Sequence, residues 1–156
     1  MMLVRPARTA DFGAVKTIHQ RAVQTLGADA YSDRQVRAWA DWSDVDELDG
    51  VDDEDAHMVV AERRGEPAGF GHLGAADGEV NAVYVHPDQA REGVGAALLA
   101  ALEGYARGVG LSELTLSASL NAVDFYDRAG YERVGPDTHE TTGGVELECI
   151  RMRKRL

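Results

Sequence analysis

Lysine is nearly missing from this chain. Lys16 and Lys154 are the only two among 156 residues, so arginine carries almost all of the positive charge. There is one cysteine, Cys149, which excludes an internal disulfide framework and makes a reducing cytoplasm the simplest setting. No apolar run is long enough to cross a membrane, and Arg5, Arg8 and Asp11 come too early for a signal peptide. Basic residues are outnumbered, 16 Lys and Arg against 27 Asp and Glu, and a net charge of −11 argues against nucleic acid as the main partner. Acidity joined to an arginine bias fits a halophilic-like surface, where dense carboxylates keep a protein solvated and salt screens their repulsion. At this length a single domain, 1–156, can bury a proper core.

The hydrophobic pattern divides the chain into short elements with no repeat and no low-complexity linker. Met2 to Pro6 reads as a first strand. Thr9 is a plausible N-cap for a helix whose apolar positions are Phe12, Val15, Ile18, Ala22, Val23 and Leu26, with Gly27 placed to end it. A second helix is expected from Ser32 to about Trp42, carrying Val36, Trp39 and Ala40 on one side. Asp41 to Asp55 is strongly acidic. Its spacing does not match a Ca²⁺ loop, so a solvated, mobile loop is expected and no metal site is proposed. Met58 to Ala61, a turn at Arg64-Gly65-Glu66-Pro67, Ala68 to Leu73, a turn at Asp77-Gly78, and a strand from Glu79 form three strands joined by short turns. Such connections imply an antiparallel meander.

The most informative stretch is Val80 to Glu103. Val83, Tyr84 and Val85 are strand residues, and Pro87 ends the strand. Val94, Leu98, Ala101, Leu102 and Tyr105 recur at helical spacing. Between them lies Arg91-Glu92-Gly93-Val94-Gly95-Ala96 at a helix start, where unpaired N–H groups and a partial positive charge suit a phosphate. A nucleotide P-loop needs Gly-Lys-Ser/Thr, and Ala96 and Ala97 follow Gly95. The dinucleotide fingerprint needs a third glycine, and Leu98 stands there.

The run Val-Tyr-Val-His-Pro, a short polar turn, Arg-Glu-Gly-Val-Gly-Ala and an apolar helix resembles the acetyl-coenzyme A loop of the GNAT N-acetyltransferase superfamily. That family usually has Gln or Arg three residues before the first glycine; here the position is Ala90, between Gln89 and Arg91. A second motif lies further on. After a strand around Leu111, Leu114 and Leu116, the run Asn121-Ala122-Val123-Asp124-Phe125-Tyr126, a spacer and Gly130-Tyr131 is similar to a GNAT pattern, and Val145 to Met152 makes a last strand. The resemblance covers nearly the whole chain. It implies an α+β fold with a mixed, largely antiparallel central sheet flanked by helices.

It also implies direct transfer of acetyl from acetyl-CoA to an amine of a small molecule or peptide, with a homodimer allowed and neither nucleic acid nor membrane involved. Tyr126 matches the family's usual general acid, and its ordinary pKa near 10 keeps it protonated at neutral pH. Glu79 opens the central strand where many members place a carboxylate, and would act as base through a water. Asn81, His19 and His86 are alternatives. Val83, Tyr84 and Val85, the loop Arg91, Glu92, Gly93, Val94, Gly95 and Ala96, and either Ser119 or Asn121 are implied to hold the cofactor. Tyr31, Trp39 and Trp42 are candidates for an acceptor wall. The rival reading is a CoA-binding module without turnover. The basic end, Arg151, Arg153, Lys154 and Arg155, reads as solvated.

Overall fold

The computed structural model describes residues 1–141 and 143–156. Seven strands form one sheet: β1 (Met2–Pro6), β2 (Ala56–Arg63), β3 (Glu66–Gly74), β4 (Glu79–Val85), β5 (Glu113–Ser119), β6 (Glu132–Glu140) and β7 (Glu146–Arg155), in the order β1-β2-β3-β4-β5-β7-β6. Every neighbouring pair is antiparallel except β4 and β5. The helices are α1 (Phe12–Leu26), α2 (Asp33–Trp39), α3 (Val94–Gly108) and α4 (Val123–Arg128). The expected α+β architecture and the antiparallel meander are both present.

The period-two alternation of β2 explains the layering. Val59 and Ala61 face a core built with Leu98, Leu102 and Ala106 of α3. Met58 and Val60 face the other way, onto Val15 and Ile18 of α1 and Phe70 of β3. One sheet is thus sandwiched between α3 and α1, with helical spacing on each helix supplying the matching stripe.

Local chemistry shifts several expected boundaries. Thr9 does not cap α1. A 3₁₀ turn covers Thr9–Asp11, and the Asp11 carboxylate accepts the Arg8 N–H at 2.7 Å. Ser32 does cap α2: its hydroxyl accepts the Gln35 N–H at 3.2 Å, while Gln35 accepts the Ser32 N–H at 2.9 Å. That helix stops at Trp39, short of Trp42, because Asp41 bends the chain by accepting the Ser43 N–H at 2.9 Å. The acidic segment is irregular, as expected, but it is tethered. Leu48 and Val51 pack on the α1-side core, and the buried Gly50 carbonyl accepts the Met58 N–H at 3.1 Å.

The C-terminal basic residues are not simply solvated. Lys154 reaches both carboxylate oxygens of buried Glu103 on α3, at 3.2 and 3.1 Å, and the Ala129 carbonyl at 2.8 Å. Tyr131 donates to the same carboxylate at 2.8 Å. A lone buried carboxylate would cost several kcal/mol, so one of the two lysines is used to neutralise it and pins β7 to α3.

Arg5 makes a similar knot at the other end, gripping Asp11 at 2.8 and 2.9 Å and Glu62 at 2.5 Å. The guanidinium, and after it the Arg8 N–H, hold the Asp11 carboxyl below the ordinary carboxylate range. A depressed folded pKa adds stability that is present above the unfolded pKa and lost as pH falls through the folded one. Asp11→Asn is therefore expected to cost about 2 kcal/mol at neutral pH, less than a severed pair because Arg5 keeps Glu62. Urea unfolding across acid pH should show the gap to the unsubstituted protein closing; a gap independent of pH would refute the linkage.

Candidate active site

The site begins where β4 and β5 part. They pair only at Glu79↔Thr115 and Val80↔Leu116. At the next residue, Asn81, β4 bulges, since His72 pairs with Ala82 and Leu73 with Val80. A bulge bends its strand and raises the local twist, so residues 81–85 turn away from β5 with their β5-side backbone edge unmatched. The gap is a cleft of about 230 Å³, lined among others by Glu79, Val83, Tyr84, Ser117, Ser119 and Tyr126.

Several candidates meet here. Tyr126 is buried on α4, and loss of water pushes its hydroxyl pKa up, so it stays protonated. Glu79 is held by Arg151 through Oε1, while Arg151 also donates to Ser117 Oγ at 3.1 Å and Thr115 Oγ1 at 2.9 Å. Arg151, which the sequence reads as solvated, is thus engaged at the cleft; its only signal was alternation, which puts it on the face of β7 shared with Cys149. Ser119 lines the cleft. Asn121 does not, lying exposed in the turn after β5.

The glycine loop sits at the start of α3. Gly93 is the N-cap in left-handed conformation, φ +79°, and Arg91 is also left-handed at φ +66°. Ala97 N–H makes a helical bond to the Gly93 carbonyl at 3.1 Å, which leaves Val94, Gly95 and Ala96 as first-turn donors with no acceptor within the helix. A Cβ on Gly93 would meet open space. One on Gly95 would lie 3.0 Å from Phe125 Cε1, so Gly95 is bare because α4 packs on it. Arg63 braces the loop, donating to Gln89 Oε1 at 2.8 Å and lying 3.7 Å from Glu92 Oε2. His86 accepts the Asp88 N–H at 3.1 Å and lines neither the cleft nor the pocket behind it.

Behind β4 is a second pocket, about 240 Å³, lined by His19, Trp42 and His72 among others and sharing Trp39, Asn81, Ala82, Tyr84 and His139 with the cleft. Trp39 and Trp42 thus line it. Tyr31 lines the cleft and is also a strut: its hydroxyl donates to the Glu148 carbonyl at 2.6 Å and accepts the Leu120 N–H at 2.9 Å, tying the α1–α2 connection to β7 and to the turn after β5. His72 is buried, with Nδ1 3.1 Å from Asn81 Nδ2 and Nε2 3.2 Å from Asp49 Oδ2, off the line of a hydrogen bond. Among the described residues, no three His, Cys, Asp or Glu side chains gather to hold a metal.

The fold that holds this cleft is shared with known proteins. The family model for the acetyltransferase (GNAT) domain matches residues 27–156. The chain belongs to the GNAT acetyltransferase family. Its relatives include the uncharacterized N-acetyltransferase YafP of Escherichia coli K12, 30% identical over 141 residues, 90% of this chain and 87% of that protein. A GCN5-related N-acetyltransferase from Rhodopseudomonas palustris is 31% identical with a TM-score of 0.86, over 99% of this chain and 95% of that one. PaiA N-acetyltransferase from Thermoplasma acidophilum, solved with coenzyme A, shares the fold at 17% identity and TM-score 0.72, covering 100% and 99%. GNAT membership makes the protein an acetyl-CoA-dependent N-acetyltransferase.

The two glycines of this GNAT loop should fail differently. Gly95→Ala overpacks against Phe125 and is expected to cost about 1–3 kcal/mol, largely recovered by adding Phe125→Leu. Gly93→Ala has space but is forced left-handed, costing about 1 kcal/mol that Phe125→Leu does not recover. Urea unfolding of the two single and two double variants checks this; rescue of both glycine substitutions alike would be the wrong outcome.

Proposed function

We propose that this chain acetylates a primary amine of a small molecule or peptide by direct attack, with Tyr126 as general acid and Glu79 as base through a water. The observation that carries the reading is the meeting of Tyr126 and Glu79 in the one cleft that opens where β4 leaves β5. The bound cofactor supplies an activated acetyl thioester whose sulfur leaves as a thiolate. The residues present suit it. The first-turn N–H groups of Val94, Gly95 and Ala96 offer donors to its pyrophosphate, and left-handed Gly93 keeps side chains out of the approach. The unmatched backbone edge of residues 81–85 offers hydrogen bonds to its amide-containing arm, with Ser119, rather than Asn121, lining that path.

The hydroxyl of Tyr126 stays protonated into strongly alkaline solution, so it can give a proton to the leaving sulfur but not take one from the amine. That task falls to Glu79. Arg151 engages Oε1, and Oε2 is the oxygen left to hold the water. A single free cysteine, buried on β7, supports a reducing, cytoplasmic setting. No helix of the described residues is long and apolar enough to cross a membrane.

Tyr126→Phe is expected to lower kcat by about 10²–10⁴-fold with CoA affinity unchanged by calorimetry. An unchanged kcat, with chemistry rate-limiting, would mean that water protonates the sulfur.

Glu79→Gln separates a base from a mere partner of Arg151. As the base, Glu79 matters most while the amine is protonated. The loss in kcat/KM should therefore be large near neutrality and shrink as pH approaches the ordinary amine pKa near 10. A loss of the same size at every pH, together with a lowered Tm, would leave Glu79 only a structural counter-ion.

A further inference from the structure

The pocket behind β4 has its own chemistry. The rings of Trp39, Trp42 and Tyr84 stand edge-on around His19, at centroid distances of 6.4, 5.6 and 4.7 Å. Trp42 Nε1, which can only donate, lies 2.9 Å from His19 Nδ1. Nδ1 must therefore accept, and a neutral imidazole whose Nδ1 accepts carries its proton on Nε2. Burial among these rings drives the His19 pKa down to about 4, so the neutral ring is the one present at physiological pH. Among the described residues Nε2 has no hydrogen-bond partner, yet it is not sealed from solvent, since the fully buried orphan nitrogen belongs to His72. His19 is thus unsuited to deprotonate the amine: one nitrogen is occupied by Trp42 and the other already bears a proton.

Building on the acetyltransferase reading, we propose that His19 is a fixed N–H donor in the acceptor pocket, and that the acceptor is a primary amine carrying an uncharged hydrogen-bond-accepting oxygen on a flat, apolar body. The aromatic walls supply the apolar surface and can receive the amine as a cation. An uncharged oxygen, a hydroxyl or amide carbonyl, satisfies Nε2–H without desolvating an anion. A carboxylate is disfavoured, because no lysine or arginine lines the pocket and Asp41 does. Trp39, Asn81, Ala82, Tyr84 and His139 line both cavities, so an amine held in this pocket sits next to the cleft. Trp42 acts here as a positioning residue, through the ring of His19.

The test uses acetyl-CoA turnover, read as thiol release, on four matched probes: 2-phenylethylamine, phenylalaninol, phenylalaninamide and phenylalanine. For the unsubstituted protein, kcat/KM for the alcohol and the amide is expected to exceed that for phenylethylamine by about tenfold, as for one buried donor satisfied, with phenylalanine poorest. His19→Phe should collapse that ratio towards unity, and His19→Gln, which keeps an N–H donor, should retain part of it. Long-range ¹H–¹⁵N NMR of the unsubstituted protein reads the tautomer whether or not the variants fold, and a neutral, Nε2-protonated His19 is expected. An Nδ1-protonated or charged ring, a flat probe panel, a ratio surviving in His19→Phe, or no turnover of any probe by protein that binds CoA would each overturn the proposal. Failure to bind CoA in calorimetry would instead overturn the acetyltransferase reading beneath it.

Discussion

The structure depends on an incomplete strand pairing. β4 and β5 are the one parallel pair in the sheet, and they stay together for two residue pairs before the bulge at Asn81 turns β4 aside. A fully zipped pair would close the sheet and leave no cleft. The unmatched edge would ordinarily be a liability, because buried backbone groups need partners. It persists because the two walls are propped from outside: α4 packs Phe125 onto Gly95, and Tyr31 bridges the α1–α2 connection to β7. An edge left free inside a protein, and held free, is suited to an extended ligand with amide groups of its own.

Charge is distributed by the same logic. Most of the acidic surplus lies on the surface, where its energetic effect is small and salt-dependent. The charges that matter structurally are few and paired: Lys154 with Glu103, Arg5 with Asp11 and Glu62, Arg151 with Glu79. Each of the three cations reaches a carboxylate far away in sequence, Arg5 through Glu62. In a chain with so little lysine, committing Lys154 to a buried carboxylate is informative. Arginine, with its wide fork, serves the two knots in which one cation must reach the side chains of more than one residue.

The pocket behind β4 is organised by rings rather than charges. Packing His19 against Trp39, Trp42 and Tyr84 removes water from the imidazole, which keeps it neutral, and the indole proton of Trp42 decides where its own proton sits. A residue type best known for moving protons is thereby converted into a donor of fixed orientation. The two sides of β4 then divide the work. One side carries the protonated Tyr126 and the carboxylate of Glu79, and the other carries the aromatic walls and the N–H of His19.

Much of this was legible in the linear chain, for local physical reasons. Period-two and helical spacing marked the elements, Ser32 marked the start of its helix, and the Gly93–Gly95 run at a helix start signalled an anion site. These depend on residues within a few positions of one another. What could not be read locally was decided by contacts between distant segments. Arg151 and Lys154 looked solvated because their partners, Glu79 and Glu103, lie 72 and 51 residues away. That a side chain at Gly95 would also collide with Phe125 was hidden, because Phe125 lies 30 positions further along the chain. Trp42 and His19, 23 positions apart, define a tautomer that composition cannot encode. The sequence by itself determined the elements and the family. Only the folded sheet decided which charges are buried, where β4 leaves β5, and which nitrogen of His19 bears the proton, because each of those is set by desolvation and distance across the fold.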